Sequence, residues 1–177
     1  MKNLNKVYTE IPVLDLGPYL AGENGALEDL GLQVRNIQET IGFWAVINHG
    51  VSWKVLEETY NQLKQFFALS IEEKRRYLIN DLSIGYVPPK STKYITSVIN
   101  ENTKKDLNET LITALERPHD HPLIKSGTRF VGPNQWPDGL PGFRDSIVSY
   151  QQEILTLGRK LLPIFSVALE LPPTYFD

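Results

Sequence analysis

Apolar positions along the chain follow two periods. Leu27, Leu30, Val34, Ile37 and Ile41 recur at steps of three and four, which puts them on one stripe of a helix that Gly42 stops. Leu56, Tyr60, Leu63 and Phe67 repeat that spacing after Ser52, whose side chain can accept from the free N–H groups of a first turn. Ser70-Ile71-Glu72-Glu73 is a capping box and opens a short helix to about Ile79. A last helix begins near Phe143, with Ile147, Tyr150, Ile154, Leu157, Leu161 and Ile164 on its buried stripe, and ends at Leu171-Pro172-Pro173. Pro163 lacks an N–H and crowds the carbonyl of Arg159, so a kink is expected there.

Four segments read as short strands. "IPVLDL" (11–16) is closed by Gly17-Pro18, and "NETLITAL" (108–115) alternates. "SIGYVPP" (83–89) is extended, because a residue before proline avoids helical angles. "FWAVIN" (43–48) is apolar on both faces and is expected to be buried on both sides. From Arg117 to Gly142 the chain is dense in Pro and Gly, yet it carries Phe130, Val131 and Trp136, as a packed loop does. The fold class is α+β. The strands are too few to close a barrel or a sandwich. "FWAVIN" suits the interior of a larger sheet, so partner strands are expected beyond residue 177.

Composition removes several chemistries. The chain has 177 residues, a net charge of −3 and no cysteine, which excludes disulfides, thiolate metal sites and a cysteine nucleophile. Lys74-Arg75-Arg76 follows Glu72-Glu73, as on a solvated helix face, and no longer basic run exists. A nucleic-acid partner is not expected from an acidic chain whose aromatics are interspersed with acidic residues. No apolar stretch is long enough to span a membrane, and "MKNLNKVYTEIP" lacks the apolar core of a signal peptide, so the expected location is cytoplasmic, without a membrane partner.

The chain has three histidines. His49 ends "FWAVIN" in Asn48-His49-Gly50. As a metal ligand or base it would need converging partners, and no Asp or Glu lies at a matching short spacing. The preferred reading is a strand-to-helix corner, with Gly50 supplying unusual backbone angles and Asn48 bonding the turn. His119 and His121 would point the same way in an extended stretch, giving at most two ligands in a surface loop. Glu109 sits at a strand start, where a salt bridge is favoured over catalysis. Nucleotide-binding, zinc-protease and serine-hydrolase signatures are absent.

Seven segments occur in order: "IPVLDLGPYL", "IGFWAVINHGV", "FFALSIEEKRRY", "GYVPP", "KKDLNETL", "GPNQWPDGLPGFRD" and "ALELPPTYF". Together, over about residues 8–177, they resemble the N-terminal half of the non-haem Fe(II)/2-oxoglutarate-dependent dioxygenases of the isopenicillin-N-synthase-like class. The resemblance implies a helical region plus the first strands of a double-stranded β-helix (jelly roll), incomplete in this chain. Residues 1–116 would form the N-terminal oxygenase region, 117–142 the loop, and 143–177 a helix leading into the catalytic jelly roll. In the intact protein, O2 activation and 2-oxoglutarate decarboxylation would be coupled to oxidation of a small organic substrate by hydroxylation, desaturation or ring closure. That class holds iron with a His-x-Asp pair and a distant His, and 2-oxoglutarate with an Arg-x-Ser pair. This chain has no His-x-Asp. Arg144-Asp145-Ser146 has the Arg-x-Ser letters but stands at a helix start and is read as chance. Catalytic and metal residues are therefore expected outside the chain, and the fragment alone is expected to be inactive and to bind neither Fe(II) nor 2-oxoglutarate tightly. What the resemblance places here is part of a substrate wall: Ser83, Tyr86 and Val87 on one strand, Leu111 and Thr113 on another. The last two share a face, which fits either a pocket or a core. The alternative to an enzyme part is a non-catalytic α+β interaction module.

Overall fold

Two neighbouring strands, Val13–Asp15 (β1) and Ala45–Ile47 (β2), pair in parallel, with Val13 opposite Ala45 and Asp15 opposite Ile47. The structure is a computed structural model and describes residues 10–92 and 104–176; the polar N-terminal stretch 1–9 lies outside the described residues. The chain divides into two units, one made of residues 1–52 and 152–177, the other of residues 53–151.

In the first unit a helical turn, Gly17–Leu20 (α1), follows β1, and Ala26–Gln38 (α2) follows that. Gly17-Pro18 thus starts a turn of helix where a simple strand end was expected, because proline in the first helical turn forfeits no bond. The last helix, Phe143–Ala168 (α6), contributes its later residues here and continues through Pro163. Leu14 and Leu16 pack with Leu30, Val34 and Ile37 of α2 and with Ile164 and Ala168 of α6. α2 and α6 approach closely at Gly31, where a Cβ would lie 2.5 Å from Val167 Cγ1. α2 ends at Gln38, so Ile41 falls past the helix, and the Gly42 N–H turns back to the Ile37 carbonyl at 2.8 Å.

The expectation that "FWAVIN" is buried on both sides is not met. Trp44 and Val46 face the core, while Ala45 and Ile47 point outward, and Phe43 is 70% exposed. β2 has β1 as its neighbour and one layer of helices beneath it, so among the described residues nothing covers its other face.

The second unit carries Trp53–Ala68 (α3), Ile71–Lys74 (α4) with a 3₁₀ turn at Arg75–Tyr77, and two antiparallel strands, Gly85–Val87 (β3) and Thr110–Ile112 (β4). The Pro/Gly-rich stretch holds one further short helix, Pro122–Lys125 (α5). Phe66 is fully buried, with the rings of Phe67, Tyr77, Tyr86 and Phe143 around it at 5.3–6.3 Å. The buried face of α3 is rotated from the expected stripe. Tyr60 is 61% exposed, with Lys64 over its ring, and Thr59 is buried instead. The cause is polar: Thr59 Oγ1 donates to the Ser146 carbonyl at 3.1 Å. Ser70 and Glu73 form the expected capping box, each side chain bonding the other's backbone N–H.

Candidate functional site

The β3–β4 pair carries the sequence-named residues. Tyr86 and Leu111 are cross-strand partners, and Val87 stands opposite Thr110. Tyr86 is fully enclosed in the aromatic cluster, and Leu111 packs against the same cluster. Ser83 lies in the turn before β3 at φ +63°, and its Oγ accepts from Arg129 Nε at 2.7 Å. Thr113 lies past the end of β4, half-buried, and its Oγ1 accepts from Gln151 Nε2 at 3.1 Å. The structure thus joins Tyr86 with Leu111 and sets Ser83 and Thr113 on separate polar contacts. Gly85 lets the Gln135 amide cross β3 and donate to the Leu78 and Ile84 carbonyls; a Cβ at Gly85 would meet that amide nitrogen at 2.5 Å.

One margin of the hairpin is a buried charge cluster. The Lys74 ammonium donates to the Phe67 carbonyl at 3.0 Å and pairs with Glu109 Oε2 at 2.8 Å. The Tyr86 hydroxyl donates to the same carboxylate. Burial pushes the Glu109 carboxyl up, but the hydrogen bonds from Lys74 and Tyr86 outweigh it and hold it below the ordinary glutamate value. Burial, then the Glu109 carboxylate, pushes the Tyr86 phenol up to about 12. Glu109 is therefore a salt-bridge residue, the reading favoured from sequence. Lys74 corrects the sequence reading, which set it on a solvated face: it is 6% exposed. The capping box fixes the helical phase, and that phase turns Lys74 inward.

The other margin lies where β4 runs on into the loop. The Asn134 side chain clamps Ala114, accepting from its N–H at 2.7 Å and donating to its carbonyl at 2.9 Å. Glu116 accepts from Arg144 through both oxygens, at 3.0 and 2.6 Å, and from the Trp136 indole N–H at 3.0 Å. The Arg144 bonds hold the Glu116 carboxyl below the usual range. Arg144 is thus committed to Glu116. Glu116, Trp136 and Arg144 border a cavity of about 290 Å³ together with Arg117, His119 and Pro133.

His49 forms the corner expected of it. Its Nδ1 accepts from the Val51 N–H at 3.1 Å, with Asn48 at φ +53° and Gly50 at φ +79°. Asn48 Nδ2 donates to Asp15 Oδ1 at 2.8 Å and ties the ends of β1 and β2; that bond, then the Gly17 N–H, lowers the Asp15 pKa. His121 caps α5 through Nδ1. Among the described residues no three His, Asp or Glu side chains converge in a way that could hold a metal ion. No helix among them is long and apolar enough to cross a membrane.

A family model described as the non-haem dioxygenase in morphine synthesis, N-terminal, matches residues 11–139. The chain belongs to this dioxygenase N-terminal family. It is 40% identical over 138 residues to azadirone synthase LFS of Melia azedarach, a match covering 76% of the chain and 40% of that relative. It is 29% identical over 174 residues to the 2-oxoglutarate-Fe(II) type oxidoreductase hxnY of Emericella nidulans, covering 96% of the chain and 48% of the relative. A solved 2OG-Fe(II) oxygenase family protein from Caulobacter crescentus shares the fold, with a TM-score of 0.75 at 20% identity, over 96% of this chain and 52% of that one. The chain spans about half the length of the relatives it matches.

Proposed function

We propose that the chain is the N-terminal part of an Fe(II)- and 2-oxoglutarate-dependent oxygenase that oxidises a small organic substrate in the cytoplasm. In this reading residues outside the chain supply the metal and co-substrate sites. Among the described residues none fits an iron centre: His49 is turned onto its own corner, His121 onto its own helix, and no three His, Asp or Glu side chains converge. Iron chemistry is therefore assigned to none of them. The chain's own role is to scaffold the cavity and to give it one wall, with Ser83, Val87, Leu111 and Thr113 as wall residues and Tyr86, enclosed in the aromatic cluster, backing them.

The observation that carries this reading is the outer face of β1 and β2. Val13, Ala45 and Ile47 stand there exposed, flanked by Ile11 and Phe43, on a parallel pair. Parallel strands are ordinarily covered on both faces, so a further layer of the same protein suits this one. Reading the coding sequence past Asp177 tests it. An in-frame His-x-Asp, then a later His and an Arg-x-Ser, supports the oxygenase. A stop codon at that point in an intact gene replaces it with the non-catalytic interaction module.

A further inference from the structure

The cavity beside Glu116 has a charge and a shape that the scaffold role does not use. Its two long-range charges cancel: Arg144 and Glu116 meet in a two-point bond, and the indole N–H of Trp136 occupies the same carboxylate. The amide of Asn134 bonds the Ala114 backbone through both its oxygen and its nitrogen. What is left over is Arg117. It makes no ion pair with any described carboxylate, and its polar contact is with His121 Nε2 at 3.4 Å. One uncompensated guanidinium therefore borders a concavity of about 290 Å³, with His119 beside it and the Trp136 and Pro133 rings as apolar wall.

We propose that this cavity binds a small organic anion, a carboxylate on a flat apolar body, with the carboxylate on Arg117 and the body against Trp136 and Pro133. A planar guanidinium matches a carboxylate in two-point geometry, and an indole gives a flat surface at little entropic cost. The volume lies at the lower end of small-molecule sites, which favours a single-ring ligand over a larger one. The Glu116–Arg144–Trp136 network acts as a positioning frame: it fixes the indole plane and keeps Glu116 from neutralising Arg117. The site is built from residues 116–144 alone, so it does not depend on the oxygenase reading.

Benzoate is the probe, with benzamide as the neutral twin and inorganic phosphate as charge without an apolar body. Binding to the natural protein is read from the Trp136 indole N–H resonance, assigned by its loss in Trp136→Phe. Benzoate is expected to shift that resonance with a Kd of about 10 mM or tighter. Benzamide and phosphate are expected to bind at least about tenfold more weakly, and Arg117→Gln to weaken benzoate by about tenfold. Lys125→Gln, an exposed cation on α5, should leave benzoate binding unchanged. The proposal is overturned by unshifted Trp136 at saturating benzoate, by equal affinity for benzamide or phosphate, or by unaltered benzoate binding in Arg117→Gln.

Discussion

Replacing Glu109 by Gln probes the buried charge cluster most sharply. Gln keeps the volume and one acceptor but removes the charge. It leaves the Lys74 ammonium, whose side chain is 7% exposed, with the Phe67 carbonyl and the Tyr86 ring face at 5.6 Å. Breaking a buried pair by removing one partner costs about 3–5 kcal/mol. Glu109 retains 30% of its side-chain exposure and Gln retains an acceptor, so the expected loss is about 2–3 kcal/mol. Urea denaturation at neutral pH should show it as a lower midpoint at unchanged slope. The double change Lys74→Met with Glu109→Gln removes both charges while leaving an acceptor for the Tyr86 hydroxyl, and should recover stability to within about 1 kcal/mol of the parent. The pH dependence has a defined sign. The native Glu109 pKa is lowered, so its stabilisation is full above the unfolded value near about 4.3 and is lost as pH falls through the native value. The gap between parent and Glu109→Gln should close over that acid range. Tyr86 acts at the other end: its pKa is raised, so stability falls from about pH 10 until the native value of about 12 is passed. A Glu109→Gln protein within about 0.5 kcal/mol of the parent, or a gap that persists in acid, would refute the pairing as a stabilising element.

Two packing predictions follow from the cores. Phe66→Ala removes the ring shared by four aromatic neighbours and should cost about 3–5 kcal/mol in the same denaturation assay. Gly31→Ala places a methyl 2.5 Å from Val167 Cγ1, 2.9 Å from its Cβ and 3.3 Å from the Ala168 backbone nitrogen, so α2 and α6 must separate, at about 1–3 kcal/mol; a neutral result would contradict this close approach of the two helices. The 177-residue chain alone should self-associate in size-exclusion chromatography through Val13, Phe43 and Ile47, and Ile47→Lys should reduce that association.

What the sequence disclosed was local. The Ser70–Glu73 box and the Asn48-His49-Gly50 corner were legible because each is closed by residues within three positions of itself. The α5 turn has a local signal inside the Pro/Gly-rich stretch, a capping residue before Pro122 at the first helical position. The phase of α3 departs from its apolar spacing because Thr59 is drawn inward by the Ser146 carbonyl, 87 positions away. Lys74 with Glu109 and Glu116 with Arg144 are likewise long-range pairs, and charge alone gives no hint of which distant partner a side chain meets. Tyr86 meets Leu111 through the pairing register, which hydrophobic pattern does not supply. "FWAVIN" reads as doubly buried, but an apolar run does not say how many faces are covered, and the outer face of β2 is exposed.

The division of labour between scaffold and metal site is tested most directly by titrating the 177-residue chain with Fe(II) under anaerobic conditions against a chromophoric chelator. The expected result is no stoichiometric binding, with or without 2-oxoglutarate. A tight one-to-one iron site on this chain would contradict the assignment of the metal ligands to residues outside it.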